Sequence, residues 1–485
     1  MNDKKKQSEN SKVTFNIDKV KDFPDWYDKA LSVGEIVDTR YPLKGMIIWR
    51  PYGFKSLKLM LNIIENLLDL HGHEETYFPM LIPASIFGKE RDFLKGFSGE
   101  AFVVTKAGTE KLGEELYIRP TSETVIYDSV KLWIRSTSDL PLKIYQTVNT
   151  FRHETKTTRP LLRVREIVKF KEAHTFHPTA SDAEEQIKEG IKIYREFFDT
   201  LLVPYKVLRT PSWDTFAGAM YNYDFMSVMP DGKAIELGSV INLGDKFAKA
   251  FDIKYLKADG SNDYVHQTCY GISERELGAL ISIHGDNNGL ILPPSVAPVQ
   301  VVIVPILKDS AKEVNARAKQ IEKELVQLGL RVKIDSRDKT MGEKFYELEA
   351  KGIPLRIEIG PKEIKEGKMV VFRRDTREKI NLGDADFHKI TKLMADIGKN
   401  LRQRALDYLD ERVLHFSNVK ELQEKYTERI GMVGLPWCGD EKCGRSLEEK
   451  IGIPTIGYDT ETKIHQVCAS CGKSATTEMF FGKTY

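Results

Sequence analysis

The sequence predicts a multidomain chain of the α/β and α+β classes, on three observations. Residues Gln146 to Thr175 have the grammar of a β-hairpin with a long connection. After a proline-rich crossing, strands and helices alternate from Gln300. The end of the chain carries two short cysteine pairs. A length of 485 residues gives room for roughly two to four domains. Hydrophobic residues at 41% and charged residues at 30% describe an ordinary globular chain. The net charge of +2 excludes a global basic field, so any nucleic-acid contact needs local patches. No apolar run reaches the roughly 18 residues of a membrane helix. The opening MNDKKKQSENSK has no apolar core and reads as a frayed tail, neither signal nor anchor.

In the hairpin, Thr147–Glu154 and Val164–Phe176 read as strands around a polar loop containing Pro160. Alternation puts Arg152 and Glu154 on one face, and Phe170, Glu172, His174 and Phe176 on one face further on. Seven Lys/Arg against three Glu make the surface basic. Guanidinium forks clamp phosphate or carboxylate bidentately, so the surface suits a nucleotide triphosphate. Read alone, it equally suits a solvated hairpin with cross-strand ion pairs.

Upstream, Phe54 to His71 carries the apolar stripe of an amphipathic helix (Leu57, Met60, Leu61, Ile64, Leu67, Leu68), and TYFPMLIP then extends with Pro79 inside it. Pro120 and Thr121 read as a helix entry with Ser122–Ile134 as the body. Glu123 in its first turn is either an ordinary dipole partner or a carboxylate awaiting a substrate ammonium. Ser181–Leu201 is amphipathic, Asp231-Gly232 is a hairpin turn, and Glu236 and Ser239 lie on the outgoing strand. In Gly271-Ile272-Ser273-Glu274-Arg275 the small residues permit close backbone approach. An arginine at a helix start opposes the dipole, which an anionic ligand or a surface ion pair would explain.

LILPPSVAPV is the linker. Beyond it VVIVPIL, a helix over Ala311–Leu328, RVKID, a helix around Glu343–Ala350, PLRIEIG and KMVVFRRD form a small α/β domain with a parallel or mixed sheet. Its cluster of Arg331, Lys333, Arg337, Lys339, Lys351, Arg356, Arg373 and Arg374 suits RNA phosphates or plain solvation. Phe387 to Tyr426 reads as helical. Cys438 and Cys443, then Cys468 and Cys471 after 24 residues, have tetrahedral zinc spacing. Four thiolates close the shell, so the site is expected to be structural. His465 is the alternative ligand.

Taken in order, these motifs resemble class II aminoacyl-tRNA synthetases, specifically prolyl-tRNA synthetases of the archaeal and eukaryotic type, over about residues 20–485. The helix with Pro79, then Phe151-Arg152-His153-Glu154 through His174, then Gly271 to Arg275 match the three class II motifs. RPTSET, KEAHT and the four cysteines make the match specific. The resemblance implies a tail (1–20), an antiparallel-sheet catalytic domain (21–292), an anticodon-binding domain (293–400) and a C-terminal zinc-binding α/β domain (401–485). It implies that L-proline meets Thr121, Glu123, Arg152 and His174. ATP would meet Arg152, Glu154, Arg163, the backbone at Val164, Phe170, Glu236, Ser239 and Arg275. Arg152 and Arg275 would be the electrostatic catalysts, with Mg²⁺ assisting. Glu349 and Arg356 would read the anticodon of tRNA(Pro), and Cys438, Cys443, Cys468 and Cys471 would hold structural Zn²⁺. Tyr485 matches a chain end that folds toward the active site in relatives. A cytoplasmic homodimer with no membrane partner is the expected state. Glu236, Ser239 and Ile241 stand where the family usually has Gln, Thr and His. That departure motivates two other readings, another class II specificity and a non-catalytic RNA-binding paralogue.

Overall fold

The computed structural model describes residues 15, 17–88, 100–215, 217–306, 311–383, 385–426 and 431–485. Fifteen of the twenty residues of the expected tail lie outside them, and within it Phe15 and Lys19 are buried. The chain divides into two compact units. Among the described residues no helix is long and apolar enough to cross a membrane.

The larger unit comprises residues 37–284, 293–298 and 395–485. Its frame is an eleven-stranded sheet. At its centre Leu142–Phe151 pairs antiparallel with Glu166–His177, which pairs with His266–Ile272, then Ala234–Gly244, then Tyr221–Val228. The hairpin is therefore present, but its first strand begins earlier than expected and stops at Phe151. Arg152 and Glu154 lie past the pairing, so strand alternation does not govern them. Polar Thr150, Lys171, Glu172, His174 and Thr175 are buried along these two strands. One flank is covered by Ala180–Leu201, capped by the Thr179 hydroxyl and burying Ile187, Tyr194, Phe197 and Phe198. A second apolar cluster joins Tyr127 and Val130 to Phe176, Phe247, Phe251 and Cys269.

Two expectations about helices need correction. The helix after RPTSET spans only Glu123–Val130; Lys131 onward is turn. Within the stretch read as helical to Tyr426, Val413–His415 is a strand parallel to Met432–Trp437. The sheet continues from these two through Thr477–Phe481 and Thr455–Tyr458 to Lys206–Arg209. The C-terminal strands thus extend the same sheet as the hairpin. A shared apolar cluster confirms the continuity: Leu208, Met226 and Val228 pack with Met432, Ile456 and Phe480.

The smaller unit comprises residues up to Ile36 together with 285–292 and 299–394. Its five-stranded sheet runs Val332–Ile334, Val301–Pro305, Leu355–Ile359, Lys368–Arg373, Lys379–Gly383. The first three strands are parallel and the rest antiparallel, a mixed sheet as expected. Helix Met341–Ala350 carries a capping box between Thr340 and Glu343. The basic cluster is largely consumed inside the unit. Arg374, 1% exposed, makes a bidentate pair with Asp286 at 2.6 and 2.8 Å. Arg337 is paired with Asp335 and Glu347, and Arg373 with Asp375.

The C-terminal helix Glu441–Ile451 packs so closely that a Cβ on Gly444 would lie 2.5 Å from the Trp213 ring. Gly444→Ala is therefore expected to destabilise the larger unit by about 1–3 kcal/mol. The denaturant midpoint should fall accordingly, and an unchanged midpoint would contradict this packing.

Candidate active site

The central strands face one cavity of about 680 Å³. Register builds its wall. On Glu166–His177, Phe170, Glu172 and His174 share a face. His174 lies opposite Cys269, which lies opposite Ile241; Glu172 lies opposite Gly271, which lies opposite Ser239. Two rows of side chains thus cross three strands. Gly271 keeps the second row open, because a Cβ there would sit 3.0 Å from the Phe170 ring.

One end of the cavity is formed by Thr121, Glu123 and His174. Glu123 is in the first turn of its helix and 8% exposed, and the Thr121 hydroxyl donates a short hydrogen bond to it. His174 is buried with Nδ1 3.1 Å from the Tyr127 hydroxyl, and burial lowers its pKa to about 4, so the imidazole is neutral. Burial, then the neighbouring Glu123 carboxylate, raises Glu172 to about 7.

Arg152 follows. Its Nε donates to the Pro120 carbonyl at 3.0 Å, and its guanidinium lies 5.8 Å from the Phe170 ring centroid. Burial and then the guanidinium of Arg275 work against its charge, while Glu172, Glu123 and Glu154 favour it. Arg275 opens the helix Arg275–His284, and its Nη1 donates to the Glu236 carbonyl at 3.2 Å. The Ser239 hydroxyl lies 2.7 Å from Asp224 and 2.8 Å from Glu236, and Asn222 donates to the same Asp224 oxygen at 2.8 Å. Burial, then Glu236, raises Asp224 to about 8. Tyr485 closes this side, its backbone N–H on Ala234 and its hydroxyl on Asp231.

The structure therefore gathers Thr121, Glu123, Arg152, Arg163, Phe170, His174, Glu236, Ser239 and Arg275 around one cavity. Glu154 and Val164 are not in its lining. Glu154 is part-buried just past the strand end, where its carbonyl accepts from Arg165. Val164 lines a smaller neighbouring cavity, which shares Arg163. Sequence reasoning assigned no role to Glu172, Asp224 or Cys269. Alternation on the hairpin already placed Glu172 on the Phe170 and His174 face; Asp224 had no local signal.

Two other expected groups lie elsewhere. Arg356 belongs to the smaller unit, its guanidinium between the Phe345 and Phe372 rings at 3.8 and 4.2 Å. It pairs with Glu358 at 3.0 Å and Glu349 at 3.3 Å, leaving Glu349 the more exposed of the two predicted readers. In the larger unit the thiols of Cys438, Cys443, Cys468 and Cys471 all lie within 4.8 Å of one another. Zn–S bonds of about 2.3 Å put tetrahedral sulfurs roughly 3.8 Å apart, and Cys438 and Cys471 stand at 3.9 Å. Four convergent sulfurs form a closed, soft donor set that fits a metal ion. His465 is exposed and outside the cluster.

Comparison with known proteins agrees with this architecture. Residues 102–284 match the tRNA synthetase class II core domain (G, H, P, S and T), and residues 300–392 match an anticodon binding domain. Residues 419–485 match the prolyl-tRNA synthetase C-terminal family. The chain is 46% identical over 465 residues to the proline–tRNA ligase of Methanothermobacter thermautotrophicus, covering 95% of each chain. It is 47% identical to that of Methanosarcina mazei, covering 96% of this chain and 97% of the other. The solved Giardia lamblia prolyl-tRNA synthetase in complex with prolyl-adenylate superposes with a TM-score of 0.94 at 36% identity, covering 97% of this chain and 100% of that one. Three matches in one order, over nearly the whole length, leave one assignment: this chain belongs to the class II prolyl-tRNA synthetases of the archaeal and eukaryotic type.

Proposed function

We propose that this chain is a proline–tRNA ligase whose activation chemistry takes place in the 680 Å³ cavity. Proline and ATP first give prolyl-adenylate and pyrophosphate, and the prolyl group then passes to the 3′ end of tRNA(Pro). The observation that carries this reading is that Thr121, Glu123, Arg152, Arg163 and Arg275 line one cavity. A carboxylate and a hydroxyl suit the imino nitrogen of proline, and paired guanidiniums suit the carboxylate and phosphates.

Adenylation is an in-line displacement in which the proline carboxylate attacks the α-phosphorus. It needs no protein nucleophile. Glu123 and Thr121 hold the imino end, with neutral His174 beside them. Arg152 bridges carboxylate and α-phosphate, and Arg163 and Arg275 neutralise the remaining phosphate charge. Phe170 and Arg275 take the two faces of the adenine; Glu154 and the Val164 backbone, outside the lining of this cavity, would meet its edge only where the neighbouring cavity joins at Arg163. The hard oxygens of Glu236 and Asp224, bridged by Ser239, fit Mg²⁺, which when bound supplies counter-charge to the phosphates. The four cysteines fit Zn²⁺, which when bound fixes the C-terminal fold.

The smaller unit serves tRNA. Glu349 reads an anticodon base and Arg356, stacked and paired, holds it in place, within a functional division at 21–292, 293–400 and 401–485. The helix Pro51–Leu70 and the extended segment after it supply a homodimer contact, and the enzyme works in the cytoplasm. Glu236 and Ile241 favour testing other amino acids, and an exchange assay across all twenty should show proline as the preferred substrate.

Arg152→Ala is expected to reduce proline-dependent pyrophosphate exchange by at least roughly 10²-fold while zinc content stays at the wild-type value. Wild-type exchange in that variant would remove Arg152 from its role. Cys438→Ser should cut bound zinc, read by elemental analysis, and lower the melting temperature; full retention of zinc would contradict a four-thiolate site.

A further inference from the structure

The hairpin ladder stops one residue short of Arg152. Its last pair is Phe151 with Glu166, and residues 152–155 belong to no helix or strand. One residue just outside the ladder bridges that gap. The Arg165 carbonyl accepts from the Arg152 N–H at 2.9 Å, and Arg165 Nη2 donates to the Glu154 carbonyl at 3.3 Å. Arg165 does not continue the ladder, because its own N–H turns away to the Gly45 carbonyl at 2.7 Å. Gly45 has a φ of +82°, and a Cβ there would lie 2.9 Å from Arg165 Cγ and from Thr158 Cγ2. A glycine lets the two chains approach this closely.

Ion pairing does not account for this residue. Among the described residues the Arg165 guanidinium has no carboxylate partner, and Nε is buried with no hydrogen-bond partner. Arg165 lines neither cavity, so it is not a substrate contact. We infer that Arg165 is a positioning residue for activation: its side chain fixes Glu154, its backbone fixes Arg152, and Gly45 fixes Arg165 in turn. The inference rests on the proposed reading of the larger cavity as the activation site. There the Arg152 guanidinium is tethered by the Pro120 carbonyl, and the bond from Arg165 sets the other end of the same residue. Pinning both ends matters because a misplacement of about 1 Å can cost roughly 10²-fold in rate. The segment around Gly45, distant in the chain, therefore belongs to the site: Lys44, Gly45 and Met46 line the smaller cavity with Thr158, Arg159 and Arg163. Loss of the side chain should disturb Glu154, on the nucleotide side. Displacement of the backbone should disturb Arg152, which meets both substrates.

Pyrophosphate exchange on the full-length enzyme gives separate KM values for ATP and proline, with the melting temperature measured alongside. Arg165→Ala should raise the KM for ATP roughly tenfold and leave that for proline within about twofold. Arg165→Lys, which keeps a donor within reach of the carbonyl, should recover most of the loss. Gly45→Ala, which displaces the Arg165 backbone, should instead raise both KM values. A lower melting temperature with both KM values unchanged would make Arg165 a structural residue. A rise in both with Arg165→Ala, or Arg165→Lys no better than Arg165→Ala, would contradict the tether to Glu154. Either result overturns the inference. If Arg152→Ala abolishes exchange while Arg165→Ala behaves as wild type, the inference fails and the site reading stands. If Arg152→Ala is also wild type, the site reading itself fails. Should Gly45→Ala not fold, the two Arg165 variants decide alone.

Discussion

Two guanidinium groups held close together in a partly dry cavity are the constraint from which the rest of the site follows. Arg152 and Arg275 repel one another, and burial adds to that cost. They stay because each is tethered to a backbone carbonyl, Pro120 for one and Glu236 for the other. The tethers orient the two groups, and the carboxylates of Glu172, Glu123 and Glu154 favour the charge of Arg152. Glu123 and Glu172 in turn repel one another while favouring the charge of Arg152. An amino acid has an ammonium and a carboxylate on adjacent atoms, and its activated form adds phosphate. One molecule of that shape would answer both sets of charges together, as the proposed mechanism of alignment and charge requires.

The sheet makes this arrangement rigid. Glu172, Gly271 and Ser239 are cross-strand neighbours, so their spacing is set by backbone hydrogen bonds and not by side-chain rotamers. Behind the wall, Lys171 points the other way and its ammonium meets the Tyr194 hydroxyl and the Tyr270 carbonyl. Burial lowers its pKa to about 7. A buried lysine held by neutral oxygens fixes the helix Ala180–Leu201 against the strand that carries Phe170, Glu172 and His174. The C-terminal strands extend the same sheet, and this brings Tyr485 to the cavity.

What was legible in the sequence was local. Alternation gave the face of Phe170, Glu172 and His174; the spacing of the cysteines gave a convergent four-sulfur cluster; strand and helix alternation gave the mixed sheet of the smaller unit. Pairings between distant segments left no local trace. Val413–His415 is a strand only because Met432–Trp437 lies beside it, and its few residues were absorbed into a helical pattern. Alternation puts Glu154 on the face of Arg152, but the strand ends at Phe151 and no longer governs either side chain. The basic cluster of the smaller unit suits RNA phosphates or plain solvation in the sequence because sequence shows cations without their partners. Asp286, which neutralises Arg374, is distant in the chain.

The three substitutions on the strand Ala234–Gly244 are absorbed by their neighbours in two different ways. Ile241 replaces a polar residue, and it packs against the cluster formed by Tyr127, Phe176, Phe247 and Cys269, continuing an apolar wall. Ser239 retains the hydroxyl, which now lies between two carboxyls. A hydroxyl has one hydrogen to give, so the second short contact requires either a proton on a carboxyl or a cation beside it. Burial raising Asp224 supplies the first answer in the free protein, and a bound cation supplies the second. The carboxylate of Glu236 is thus accommodated through the Ser239 hydroxyl and a raised Asp224.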